Sequence, residues 1–116
     1  MDVAGGSTAD HARVQQFHCQ NGTNQIWIFD AKGQIVSLSS DKCLDVPNGS
    51  MADHILLQQY TCDGGTNQLW RATPRGEIIN LNSGKCVDLP NGNVADQVQL
   101  QQFSCNNGSN QEWVFR

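Results

Sequence analysis

The sequence predicts an all-β fold made from three copies of one unit, and three observations carry that prediction. A phrase recurs as "TNQIW" at 23–27, "TNQLW" at 66–70 and "SNQEW" at 109–113, a period of 43 residues. Around it the copies align without gaps: "MDVAGGSTADHARVQQFHCQNGTNQIW" (1–27), "LDVPNGSMADHILLQQYTCDGGTNQLW" (44–70) and "VDLPNGNVADQVQLQQFSCNNGSNQEW" (87–113). No stretch keeps apolar residues at helical spacing for three turns, whereas several short stretches alternate or run apolar between turn residues. Repetition at such a period means one supersecondary unit stacked several times.

The elements follow in order within each unit. "CLDV" and "CVDL" are brief apolar strands ended by Pro-Asn-Gly turns. "HILLQQY" and "QVQLQQF" alternate in part and form a second strand. "DGGTNQ" and "NNGSN" carry turn chemistry. "QLWRA" and "QEWVF" form the third strand. "GQIVSLSS" and "GEIINLNS" alternate well after a glycine and form the fourth. The chain of 116 residues suits a single domain over 1–116, with repeats 1–43, 44–86 and 87–116. Three units are too few for a propeller but can close around a threefold axis. The chain ends at Arg116, so the last alternating strand of the third repeat is expected to be missing, leaving eleven strands of twelve. Unpaired backbone edges beside that gap invite self-association that completes the sheet.

Composition narrows the function. A net charge of −4 argues against nucleic acid or an anionic membrane as partner. No apolar run is long enough to cross a membrane, and the first ten residues lack the basic region and apolar core of a signal peptide. Among five cysteines, Cys43 and Cys62 lie 19 apart, as do Cys86 and Cys105. Equal spacing twice over reads as one local disulfide per repeat, Cys43–Cys62 and Cys86–Cys105, with Cys19 left without its counterpart. Closing a loop of that size stabilises a fold by about 3 kcal/mol, and such bridges imply a secreted or extracellular setting. The alternative is five reduced, buried thiols. No Cys-x-x-Cys pair exists and the three histidines fall at unrelated spacings, so no metal site and no cofactor are expected.

The three Gln-x-Trp motifs, the "Cys-Leu-Asp" start and the 43-residue period resemble the ricin B-type lectin family, also classed as family 13 carbohydrate-binding modules. One Gln-x-Trp is a worthless signal; three in phase with Asp, aromatic and Cys landmarks are specific. The resemblance covers essentially the whole chain and implies a β-trefoil. It also implies a sugar site in each repeat, typically for galactose-type or pentose sugars, made of an Asp, an aromatic, an Asn and flanking Gln residues. Carried across, the first repeat supplies Asp2, Gln15, Phe17, Asn24 and Gln25; the second, Asp45, Gln58, Tyr60, Asn67 and Gln68; the third, Asp88, Gln101, Phe103, Asn110 and Gln111.

The residues themselves support this chemistry. A carboxylate accepts hydroxyl hydrogens in strong, charge-assisted bonds, an amide both donates and accepts, and a ring offers a flat apolar face. The partners expected are therefore carbohydrates, either glycans or plant polysaccharide, bound at up to three sites as a lectin or carbohydrate-binding module. The ligands to expect are galactose, lactose, xylose or arabinose. The other reading is a structural, protein-binding or engineered trefoil scaffold with vestigial sugar sites. No enzyme is expected: no nucleophile–base pair is visible, and Asp2, Asp45 and Asp88 fall on separate lobes, whereas glycoside hydrolysis uses two facing carboxyl groups. Asp2, near the chain end, is expected to fray. Trp27, Trp70 and Trp113 are expected in the core. His11, His18 and His54 are expected at the surface or in turns, without shared chemistry, because Gln97 stands at the third-repeat position of His11 and His54. "NGT" (21–23) and "NGS" (48–50, 107–109) are read as turns rather than glycosylation sites. Gln16, Gln59 and Gln102 share the inward face of their strand and need buried partners that the sequence does not identify.

Overall fold

A computed structural model describes residues 1–114 and shows short strands joined by 3-10 turns, with no α-helix. In chain order the strands are β1 (Asp2–Val3), β2 (Val14–Gln16), β3 (Trp27–Phe29), β4 (Ile35–Ser37), β5 (Cys43–Asp45) and β6 (Ile55–Leu56). They continue as β7 (Gln58–Tyr60), β8 (Trp70–Ala72), β9 (Ile78–Asn80), β10 (Cys86–Asp88), β11 (Val98–Gln99) and β12 (Gln101–Phe103). They form three sheets, ordered β1-β2-β11, β3-β4-β5-β7 and β6-β12-β10-β9-β8. Every pairing is antiparallel, and two of the sheets are completed by strands of another repeat: β11 on β2 and β6 on β12. This is the threefold β-trefoil arrangement.

The axis explains one departure from the expected strands. "HILLQQY" is not one strand but two, β6 and β7, broken at Leu57. There the backbone turns to another repeat. Val14 N donates to Leu57 O (3.3 Å), Leu57 N to Leu100 O (2.8 Å) and Leu100 N to Val14 O (2.9 Å). The three bonds run cyclically through the three repeats, and all three side chains are fully buried. Leu44, Val46, Ile35, Ile78 and Val87 pack around them in one core.

Beside this ring, one tripeptide of each repeat grips the next repeat. The Ala-Asp-His of residues 9–11 is typical. His11 N donates to Gln59 O (2.9 Å), Asp10 Oδ1 accepts from Thr61 N (2.8 Å), and Ala9 O accepts from Gln59 Nε2 (2.8 Å). Residues 52–54 grip Gln102 and Ser104 in the same way, and residues 95–97 grip Gln16 and His18. The buried glutamines thus have their explanation. Gln59 Nε2 also reaches Ser7 O, and its Oε1 accepts from the Ser40 hydroxyl; Gln102 repeats this with Ser50 and Ser83. Each is an amide peg between two repeats.

Disulfides join Cys43 to Cys62 and Cys86 to Cys105, while Cys19 is free and exposed. Trp70 is buried, but Trp27 and Trp113 are only half-buried against the core. The backbone shows why. Trp70 N bonds Gly33 O, and Trp70 also pairs with Asn80 across β8 and β9. Trp113 keeps the equivalent bond to Gly76 O, a glycine at φ +96° where a Cβ would lie 2.7 Å from Trp113 O. Yet 112–114 form no strand, since no fourth strand of the third repeat is present among the described residues to pair with them. The remainder of the expected "QEWVF" strand, Phe115 onward, lies outside the described residues. On the other side of that position β1 pairs with β2 alone, whereas β5 and β10 each have two neighbours. Asp2 nonetheless does not fray; it is 4% exposed and pairs with Gln15.

Two outcomes are expected. Gln59→Leu adds apolar volume yet leaves Ser7 O, Ala9 O and the Ser40 hydroxyl without their partner. It should destabilise the fold by about 1–3 kcal/mol for each group that stays buried and unpaired, read by urea unfolding; unchanged stability would deny the peg. The clasp aspartates predict an acid limit. Asp10, Asp53 and Asp96 are held below the ordinary value of 3.8, chiefly by hydrogen bonds from the side chains of Thr61, Ser104 and His18 respectively. A carboxyl with a depressed folded value contributes stability above its unfolded value, and loses it as pH falls through the folded one. The thermal midpoint should therefore drop below about pH 4. In an Asp10→Asn, Asp53→Asn double variant the drop should be shallower; an equally steep drop would place the acid sensitivity elsewhere.

Candidate functional site

The recurring Asn-Gln-x-Trp phrase acquires its meaning around Asp45. This residue ends β5 opposite Gln58 of β7. Its carboxylate is almost wholly buried, so each oxygen needs donors. Gln58 Nε2 donates to Oδ1 at 3.0 Å. The 3-10 turn Thr66–Gln68 brings two more amides: Asn67 Nδ2 reaches Oδ2 at 3.3 Å and Gln68 Nε2 reaches it at 2.8 Å. Asn67 Nδ2 also bonds Val46 O. Gln68 completes its set by donating to Thr61 O and accepting from Asp63 N. Two residues on, the Trp70 indole donates to Leu44 O at 3.0 Å, fixing the strand just before Asp45. Asn, Gln and Trp together hold one carboxylate in place.

The same web recurs twice. At Asp88, Gln101 reaches Oδ1 at 2.8 Å, and Asn110 and Gln111 reach Oδ2 at 3.3 and 2.8 Å. At Asp2 the distances are 3.0 Å from Gln15, 3.2 Å from Asn24 and 2.8 Å from Gln25. The indoles of Trp27 and Trp113 donate to Met1 O and Val87 O. The Asp, Asn and two Gln of each expected set are therefore brought together, one web per repeat; of the expected aromatics, Tyr60 lines a cavity with its aspartate. Within them the roles divide. Gln68 and Gln111 have no exposed surface and every polar atom is engaged internally, so they act through the aspartate they hold. Asp45 accepts three bonds where a carboxylate has about four lone-pair sites, so its acceptor capacity is not filled.

Around Asp45 a cavity of about 370 Å³ opens, lined by His11, Asp45, Asn48, Gly49, Gln58, Tyr60, Asp63 and Asn67. Tyr60 is half-buried and presents its ring. Asn48 and Gly49 form a wall because both adopt the left-handed region, at φ 58° and 62°, which Asn and Gly tolerate best. A second cavity of about 340 Å³ lies at the first repeat beside Phe17, Gln20, Asn21 and Gln25; Asp2 does not line it.

Four lining residues of the Asp45 cavity, His11, Asn48, Gly49 and Asp63, were not among the residues expected at the site. His11 is the chief correction. It is exposed in a turn, as expected, but it and His54 do share a role. His11 Nδ1 lies 3.1 Å from Gln58 Oε1, and its ring stands 5.1 Å from Tyr60 at 60°. His54 lies 3.4 Å from Gln101 Oε1, with its ring 4.9 Å from Phe103 at 62°. The equal placement of the two histidines within their repeats was the available signal. The only three-group cluster of metal-ligand types among the described residues is Glu77, Cys86 and Cys105, whose sulfurs are joined in a disulfide and cannot ligate as thiolates.

Comparison with known proteins agrees with this geometry. The profile of the ricin-type beta-trefoil lectin domain matches residues 1–113. Among solved structures, a designed 3-fold symmetric protein, ThreeFoil, is 35% identical with a TM-score of 0.88, over 96% of this chain and 85% of that one. The exo-beta-1,3-galactanase 1,3Gal43A from Clostridium thermocellum is 32% identical with a TM-score of 0.85, over 95% of this chain but only 26% of that chain. The C-half of an earthworm R-type lectin, solved in complex with GalNAc, is 19% identical with a TM-score of 0.84, over 97% and 85%, a likeness of fold alone. No curated protein matches the chain.

The web makes the aspartate a structural group. Asp45→Ala deprives three amides of their acceptor and is expected to lower stability by about 1–3 kcal/mol for each one left buried and unpaired. Tyr60→Ala touches none of these bonds and should unfold at a denaturant concentration close to that of the parent. Equal losses in both variants would contradict the web.

Proposed function

The chain belongs to the ricin-type β-trefoil lectin family, a carbohydrate-binding family, and from that premise we propose that it is a multivalent sugar-binding module for galactose-type or pentose sugars. One observation carries the reading. Beside Tyr60, the Asp45 carboxylate is fixed by three amides, fewer than its oxygens can accept, and lines an open cavity. A pyranose sets its apolar C–H face on the ring while a hydroxyl donates to the carboxylate. Asn67 Oδ1 accepts no hydrogen bond among the described residues, and Asn67 lines the same cavity, so it offers a second acceptor. The likeness to part of an exo-β-1,3-galactanase supports a galactose-type ligand.

The remaining features fit this reading. The function is binding rather than catalysis, since Asp2, Asp45 and Asp88 each serve their own web. Two disulfides support an oxidising, extracellular setting, and no helix of the described residues is long and apolar enough to cross a membrane. Self-association belongs to the same reading: β1 stands at the edge of its sheet among the described residues, and such an edge can pair with a strand of another chain. Each shallow site should bind weakly, with Kd from about 1 mM to tens of micromolar, or about −4 to −6 kcal/mol. A branched or repeated glycan spanning several sites gains avidity of about 10²- to 10⁴-fold over one site.

Titration with galactose, lactose, xylose and arabinose tests the proposal. The indole N–H signals of Trp27, Trp70 and Trp113 are convenient reporters, because each is bonded to the carbonyl just before one site aspartate. At least one sugar should shift Trp70, and Tyr60→Ala should abolish that shift while sparing the others. No shift and no heat with any of the four sugars would sink the reading.

A further inference from the structure

We propose that each repeat supplies a sugar-contacting side chain to the site of the next repeat, and that this makes the three sites unequal. His11 serves the Asp45 site and His54 the Asp88 site, while the Asp2 site receives Gln97 and binds more weakly. The inference deepens, and rests on, the sugar-binding reading above.

The backbone presents the position identically in all three cases. His11, His54 and Gln97 sit at φ 71°, 69° and 68°. Their N–H groups donate to Gln59 O, Gln102 O and Gln16 O at 2.9, 2.9 and 2.8 Å. The clasp between repeats thus aims each side chain at the neighbouring strand that carries Gln58, Gln101 or Gln15.

The side chains then diverge. Gln58 Nε2 is committed to Asp45 Oδ1, which can only accept, so Gln58 Oε1 must face His11. An amide oxygen only accepts, so His11 Nδ1 carries the proton. In the neutral ring Nε2 is then an acceptor, on a residue that lines the same cavity as Asp45 and Tyr60. A sugar in this cavity meets the Asp45 carboxylate, a second acceptor from His11 and a corner of two rings inclined at 60°. His54 reproduces the bond and the corner with Gln101 and Phe103. At the first site Gln97 provides no such bond. Gln15 Oε1 is buried there without any hydrogen-bond partner among the described residues, and Phe17 lies against its own neighbour His18 instead. The orphaned oxygen marks where the third repeat fails to supply what the first two supply.

The three indole signals read the three sites separately in the full chain. The probe is galactose, or the tightest-binding of lactose, xylose and arabinose. In the parent protein Trp70 and Trp113 should titrate together and Trp27 more weakly, by about three- to tenfold, the worth of one neutral hydrogen bond. His11→Gln should weaken Trp70 to the Trp27 value and leave Trp113 alone. The backbone already accepts Gln at this φ in the third repeat, so the variant is expected to fold. Gln97→His is the reciprocal test and should raise the Trp27 site to match the pair, a gain that loss of structure cannot produce. If sugar binds but His11→Gln and Gln97→His each leave their site within about twofold of the parent, the inference is overturned while the sugar-binding reading stands. If no indole moves with any of the four sugars in the parent, both fall.

Discussion

The closure of three repeats into a ring is the constraint from which the rest of the molecule follows. No single repeat can bury its own apolar residues, because its strands are two or three residues long and lie in different sheets. An isolated pair of such strands is marginal in water. The cyclic bonds among Val14, Leu57 and Leu100 put one apolar residue of each repeat on a common axis. The Ala-Asp-His clasps and the Gln59 and Gln102 pegs then fix each repeat against its neighbour at a set angle. A polar group in such a core is costly unless fully paired, and the partners of the Gln59 and Gln102 side-chain amides lie in the preceding repeat. The same buried amide that stabilises the ring therefore also specifies which repeat follows which.

Binding geometry grows out of that frame. The Asp45 web uses side chains to do what a sheet does with backbone: it satisfies buried polar atoms while leaving the carboxylate's acceptor capacity unfilled. Because its amides are themselves tied to Thr61 O, Val46 O and Asp63 N, the carboxylate loses little freedom when a ligand arrives. Such preorganisation matters for a small shallow site, where each ordered rotamer would otherwise subtract from a binding energy of only a few kcal/mol. The disulfides act nearby, since Cys43 pairs across the sheet with Tyr60 and is bridged to Cys62, two residues past the ring that faces the cavity.

How much of this was legible in the sequence depends on how far apart the partners lie. The period, the all-β class and both disulfides could be read because each rests on spacings no longer than one 43-residue period. The grouping of Gln58, Asn67 and Gln68 around Asp45 could be read too, since all four fall inside one 43-residue unit. The roles of Gln59, His11 and Leu57 could not. Apart from Ser40, 19 residues before Gln59, their partners are 43 to 52 residues away, in a neighbouring repeat, and local pattern carries no record of which loop will meet which strand. The tryptophans show the same limit: three identical motifs promise three core residues, but only Trp70 has flanking strands and a neighbouring hairpin on both sides to cover it.

Contact between neighbours also explains how near-identical repeats can yield unlike sites. If each site were contained within its own repeat, a change such as His to Gln at position 97 would alter the third site. In a ring whose loops reach forward, it alters the first. The effect is displaced by one repeat, and the site that carries the substitution, around Asp88, keeps its full complement from His54. Sequence comparison repeat by repeat therefore assigns the difference to the wrong lobe. The unpartnered Gln15 Oε1 lies in the first repeat, although the residue that leaves it so is in the third. Cyclic closure makes the relation consistent: repeat one acts on two, two on three, and three on one. On the proposed reading, the residues at positions 11, 54 and 97 set three affinities independently, without disturbing the backbone bonds that hold the clasps, because those bonds use only the main-chain N–H of the varied residue.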